Sequence, residues 1–128
     1  MISTTELMLT SEGDFQAFNI TDQVTSAVEA SGVKAGQVTV FYRHTTGTVL
    51  IAEHEAGLLV DVEDALEKIS PVSGDYKHHL RGFDTNGAAH IRTALLGVSV
   101  CIPVLHGELM LGSYQEVLVI DMDPQQHT

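Results

Sequence analysis

Apolar positions along the chain change period several times, and each change marks an element. Ile2 to Leu9 alternates loosely with Thr and Glu, the turn-forming run Ser11-Glu12-Gly13-Asp14 follows, and then comes Phe15-Gln16-Ala17-Phe18. This opening reads as two strands joined in a hairpin. Thr21 is placed to cap a short amphipathic helix, with Asp22 in its first turn, Val24, Ala27 and Val28 on one face and Gly32 as its stop. Gln37 to Tyr42 and Gly47 to Ala52 are strands by their β-branched and aromatic content, and the polar knot Arg43-His44-Thr45-Thr46 lies between them. Leu58, Leu59, Val62, Ala65, Leu66 and Ile69 then recur at spacings of three and four, the period of an amphipathic helix that Pro71 ends.

Residues 71 to 87 carry no period and read as a loop long enough to have a purpose. Ala88 to Leu96 is helical again, with Asp84, Thr85 or Asn86 available as N-cap and Gly97 as the stop. Val98 to Leu105, Leu109 to Leu111 and Tyr114 to Met122 close the chain as three strands around a turn at Gly107. The unbroken run Val117-Leu118-Val119-Ile120 predicts a strand covered on both faces, and covering both is expected to require a partner subunit. The sum is one α+β domain over residues 1–128, dominated by antiparallel sheet.

Composition narrows what such a domain does. A hydrophobic fraction of 44% with 18% charged residues excludes a disordered chain. Six Lys and Arg against 17 Asp and Glu give a net charge of −11, which repels nucleic acid and anionic membranes. The few cations are concentrated: Arg43, Lys77, Arg81 and Arg92 lie in or beside the histidine-bearing segments, and only Lys34 and Lys68 lie elsewhere. An anionic ligand in a locally positive pocket fits that placement. Cys101 is the single cysteine and is expected to be a buried, inert thiol in its apolar run. With no leader and no apolar stretch of bilayer length, a soluble cytoplasmic protein is the expectation.

The densest chemistry lies from Tyr76-Lys77-His78-His79 to Asn86-Gly87-Ala88-Ala89-His90-Ile91-Arg92. His78 and His90 are separated by a loop that can fold back, and His44 precedes two threonine hydroxyls able to reach a phosphate oxygen. Three imidazoles with an open position suit a divalent ion, zinc or magnesium, while histidines bonded to loop backbone are the plainer alternative. His90 would stand in the first turn of its helix, beside free N–H groups that suit an anion. His79 is expected to point away from its neighbour and receives no role. His54, His106 and His127 read as surface residues. Glu116, with Glu53 behind it, is a candidate for acid–base work if the start of its apolar strand is desolvated; a solvated strand-end carboxylate is the alternative.

Several of these segments together resemble one family. His44-Thr45-Thr46, Tyr76-x-His78, Asn86-x-x-Ala89-His90, Leu95-Leu96-Gly97, Ile102-Pro103-Val104 and Gly107-x-Leu109-x-Leu111-Gly112-x-Tyr114-Gln115 stand in the order and spacing of the YjbQ-like proteins, from about residue 37 to residue 121. These small bacterial and archaeal proteins are associated with a secondary thiamine-phosphate synthase activity. The resemblance implies an α+β fold with a β-sandwich, a homotrimer whose subunit contacts hold the active site, and His44, His78 and His90 as its histidines. It implies a weak coupling of an aminopyrimidine methyl diphosphate to a thiazole phosphate with release of diphosphate. Catalytic residues on this reading are His44, His78, His90 and Glu116, with Arg43, Thr45, Thr46, Asn86 and Gln115 binding the ligand. The alternative is a non-catalytic trimeric binding protein for a phosphorylated metabolite or a metal ion. The chain departs from the family pattern in carrying Tyr114-Gln115 for a Trp-Gln pair, Ala88 for a polar residue or His, and Asp123-Pro124-Gln125-Gln126-His127-Thr128 for a basic ending.

Overall fold

In the computed structural model, which describes residues 1–82 and 85–124, the element order is β1 Gln16–Asn19, α1 Thr21–Ser31, β2 Ala35–Phe41, β3 Gly47–Ala52, α2 Ala56–Ile69, a 3-10 turn Lys77–Arg81, α3 Gly87–Leu96, β4 Ser99–Leu105, β5 Glu108–Leu109 and β6 Glu116–Asp121. His127 and Asp84 lie outside the described residues. Two antiparallel three-stranded sheets form, ordered β1-β6-β3 and β2-β4-β5. Among the described residues no helix is long and apolar enough to cross a membrane.

The apolar run of β6 organises the core. It is the middle strand of its sheet, and Val117, Leu118, Val119 and Ile120 are all buried. Alternation along a strand sends neighbours to opposite faces. Val117 and Val119 join Val49, Ile20, Val24 and, from the second sheet, Ile102. Ile120 packs with Met122 against Leu66 of α2 and Ala89 of α3. One chain therefore covers both faces of this strand, and the partner subunit expected for that purpose is not needed. A helix pair on one side and a second sheet on the other do the work.

The opening hairpin does not form. Gly13, Asp14 and Phe15 all have positive φ, at 89°, 59° and 63°, and the Asp14 N–H donates to Asp123 O at 2.7 Å. That turn hands the chain to β6, so Gln16 pairs with Asp121 and Asn19 with Leu118. Residues 1–10 belong to neither sheet. Thr21 is not the cap of α1 but its first residue. Its N–H and hydroxyl donate to Asn19 Oδ1 at 3.1 and 2.6 Å, and its hydroxyl oxygen accepts from Val117 N at 2.9 Å. Cys101 is exposed, contrary to expectation. In β4 it alternates with the buried Ile102 and Val104, which leaves it on the outer face.

Candidate functional site

The polar knot after β2 is placed by a glycine. Tyr42 extends the β2–β4 pairing by donating its N–H to Val98 O at 2.7 Å, and its ring lies across Gly47 at the start of β3. A Cβ at position 47 would stand 2.6 Å from Tyr42 Cε2 and 2.7 Å from Ile120 O. Gly47 pairs in register with Asp121, which is buried. Burial, and then the charges of Asp121 and Asp123, push the Tyr42 hydroxyl up to about 12. Tyr42 is thus a neutral donor over the ordinary pH range. The His44 ring tilts against it, centroid to centroid 5.0 Å.

Arg43, His44 and Thr45 are exposed, while Thr46 is buried with its carbonyl accepting from Met122 N at 2.9 Å. Arg43 Nη1 lies 3.9 Å from Glu6 Oε1, with both side chains mostly in water. Such a pair contributes little to stability.

The second component comes from the loop and α3. His78, on the 3-10 turn, and His90, in the first turn of α3, bring their rings to 4.5 Å at 56°. The loop folds back to join them, a course their spacing allows. Asn86 occupies the N-cap position yet makes no side-chain cap bond. Its Nδ2 donates instead to Asp123 Oδ2 at 3.4 Å, and its Oδ1 is buried with no hydrogen-bond partner among the described residues. Asp123 N donates to Asp121 Oδ1 at 3.1 Å. Ring packing of His44 on Tyr42, the field of Asp121 and Asp123 at the Tyr42 hydroxyl, and the hydrogen bonds from Asp123 to Asp121 and from Asn86 to Asp123 therefore tie this knot to the start of the helix that bears His90.

His79 has a definite function in this arrangement. Its Nε2 accepts from Gly87 N at 2.9 Å, so one of the first-turn N–H groups expected to be free for an anion is already bonded. The sequence signal was the glycine: a side chain at position 87 would meet His79 Nε2 and Tyr76 Cβ, each at 2.8 Å. Asp121, Asp123 and Tyr42 are the other members that pattern reading passed over. Their signal was position, at the ends of strands that run toward the same pole.

Gln115 and Glu116 are not with the histidines within one chain. Glu116 pairs with Ala52 at one end of β3 while Asp121 pairs with Gly47 at the other. The intervening strand spans about 17 Å at the usual rise per residue. Gln115 Oε1 accepts from Gly112 N at 2.7 Å. His54, exposed, lies at that far end beside Asn19, with Nδ1 3.4 Å from Asn19 Nδ2, and His106 is exposed in the turn between β4 and β5. Glu55 caps α2, accepting from Gly57 N and Leu58 N, and Glu53 is exposed. Among the described residues no three His, Cys, Asp or Glu side chains form a group that could hold a metal ion.

Residues 5–128 match the family of UPF0047, YjbQ-like proteins. A UPF0047 protein of Methanothermobacter thermautotrophicus is 36% identical over 122 residues, 95% of this chain and 84% of that one. Another, from Archaeoglobus fulgidus, is 40% identical over 118 residues, 92% of this chain and 90% of its own. Among solved structures, a YbjQ-like protein of unknown function from Sulfolobus solfataricus superimposes with a TM-score of 0.84 at 32% identity, over 92% of this chain and 87% of that one. An uncharacterized protein of the same family from Clostridium acetobutylicum gives 0.83 at 35% identity, over 93% and 91%.

Proposed function

The chain belongs to the YjbQ-like UPF0047 family, and on that premise we propose that the pole formed by His44, His78 and His90 binds phosphorylated small molecules and couples an aminopyrimidine methyl diphosphate to a thiazole phosphate. The thiazole nitrogen attacks the methylene carbon and a C–N bond forms. The C–O bond to diphosphate breaks, and diphosphate leaves with the electron pair. Negative charge gathers on the leaving group, so the chief demand on the protein is placed donors and positive charge.

The observation that carries this reading is the His78–His90 pair, with centroids 4.5 Å apart at the start of α3. Imidazoles so placed are donors to phosphate oxygens when protonated, and Lys77 beside them is exposed. His44, Thr45, Thr46 and Arg43 would serve the second phosphate. The carboxylates of Asp121 and Asp123 suit the exocyclic amino group of the pyrimidine, whose ring nitrogens accept rather than donate, and Asn86 Oδ1 is a further acceptor for that amino group.

Gln115 and Glu116 enter only if a neighbouring copy supplies them, and the reading therefore includes a homotrimer with the site at its subunit contacts. Apolar exposure on the histidine-bearing elements supports such a contact: Leu80 is 84% exposed, Leu95 63% and Ile91 45%. Purified protein given both thiamin precursors should form the coupled product, detected by mass spectrometry, and His90→Ala should lose it. Diphosphate binding without product would favour the non-catalytic binding protein, and neither binding nor product would end both readings.

A further inference from the structure

We infer that His79 is the positioning residue of this site: its ring takes over the capping of α3, which sets His78 against His90 and releases the Asn86 side chain toward Asp123. The inference rests on the proposed function for the identity of the ligand, though not for the geometry. A helix begins with unsatisfied N–H groups, and a side chain at the N-cap ordinarily takes one. Here Asn86 holds that position without capping, and Gly87 N donates at 2.9 Å to His79 Nε2 instead. Accepting at Nε2 requires that nitrogen to be unprotonated, with the ring proton on Nδ1.

Successive side chains on a 3-10 turn project about 120° apart, so fixing one histidine of the pair fixes the other. The two rings lie 6.2 Å apart at 59°, one turned to Gly87 and one to His90. The ring of His79 is itself held from behind. Tyr76 meets it edge-on at 5.3 Å, and the Tyr76 hydroxyl is bonded to Ser70 Oγ at 2.9 Å and donates to Pro71 O. Ser70 O in turn accepts from Nε of the buried Arg92 at 3.0 Å. Position 87 must lack a side chain for the ring to approach.

The test uses the full chain with inorganic diphosphate as probe and three variants. His79→Leu keeps bulk and removes the acceptor. His79→Gln restores an acceptor near the place of Nε2. Gly87→Ala pushes the ring away by another route. In the parent protein, nitrogen-detected NMR of the His79 ring should show the proton on Nδ1. His79→Leu and Gly87→Ala should shift the ring resonances of His78 and His90 and weaken diphosphate binding about tenfold, while His79→Gln returns both close to the parent. Unchanged His78 and His90 resonances in His79→Leu, equal losses in the Leu and Gln variants, or an Nε2-protonated His79 would overturn the inference. If the parent protein does not bind diphosphate, the proposed function fails, and the tautomer and ring resonances still decide the positioning claim. If His79→Leu does not fold, Gly87→Ala and the parent tautomer decide it.

Discussion

The Tyr42 ring lies across residue 47 because that residue is glycine, within the electrostatic reach of Asp121 and Asp123, and two predictions follow from that placement at the scale of single residues. With its pKa raised to about 12 from the ordinary 10.0, the folded chain holds the phenolic proton more tightly than the unfolded chain does. The associated stability is fully present below the unfolded value and is lost as pH rises through about 12. Tyrosinate absorbance followed into alkali should therefore show an ionisation near 12, and Tyr42→Phe should remove that step. Gly47→Ala should destabilise the protein by about 2 kcal/mol in urea unfolding, in the range for forcing a group into a filled space. The carbonyl of Ile120 beside it is backbone and has little freedom to give way.

At the scale of elements, the helices are anchored by contacts of unequal kind. Glu55 caps α2 with its carboxylate, and Glu55→Ala should cost about 1 kcal/mol by chemical denaturation. Asn86→Ala should cost less, because Asn86 makes no cap bond; its effect belongs in ligand binding. Arg92 of α3 joins Glu67 of α2 at 2.8 Å, with side-chain exposures of 4% and 47%. Removing the carboxylate strands a buried cation, whereas removing the guanidinium leaves a carboxylate that water can still reach and takes one donor from Ser70 O. Glu67→Ala should thus be the more damaging, at about 3 kcal/mol against about 2 for Arg92→Met in the same measurement. Equal losses would mean that solvent reaches Arg92 as freely as it reaches Glu67.

For the whole molecule, the proposed assembly makes a prediction independent of catalysis. Ile91 and Leu95 stand one turn apart on the exposed face of α3, next to the site. The double substitution Ile91→Asp, Leu95→Asp should lower the mass in solution from trimer to monomer in sedimentation experiments while leaving the helical circular dichroism in place. A parent protein that sediments as a monomer at micromolar concentration would remove the trimer from the reading. With a net charge of −11, the molecule should also give no shift with duplex DNA at low salt, where nonspecific binding is strongest.

Local pattern was enough to read α2, α3, β2 and β3 almost to their ends, because an amphipathic face repeats with a helical or strand period and the Gly32 and Gly97 stops are marked by the residue that tolerates them. The buried character of β6 was equally legible in its four consecutive apolar residues. Pairing was not, since the alternation of residues 2 to 9 says only that they could lie in a sheet. Which strand the chain joins was decided by the left-handed turn at Gly13–Phe15 and the Asp14–Asp123 bond, contacts between residues far apart in sequence. The histidine family was visible as residue types in a spacing. That His78 would meet His90, that His79 would bond Gly87, and that Asp121 and Asp123 would stand beside Tyr42 depended on how strand ends, a 3-10 turn and a helix start converge, and no one-dimensional period encodes that convergence.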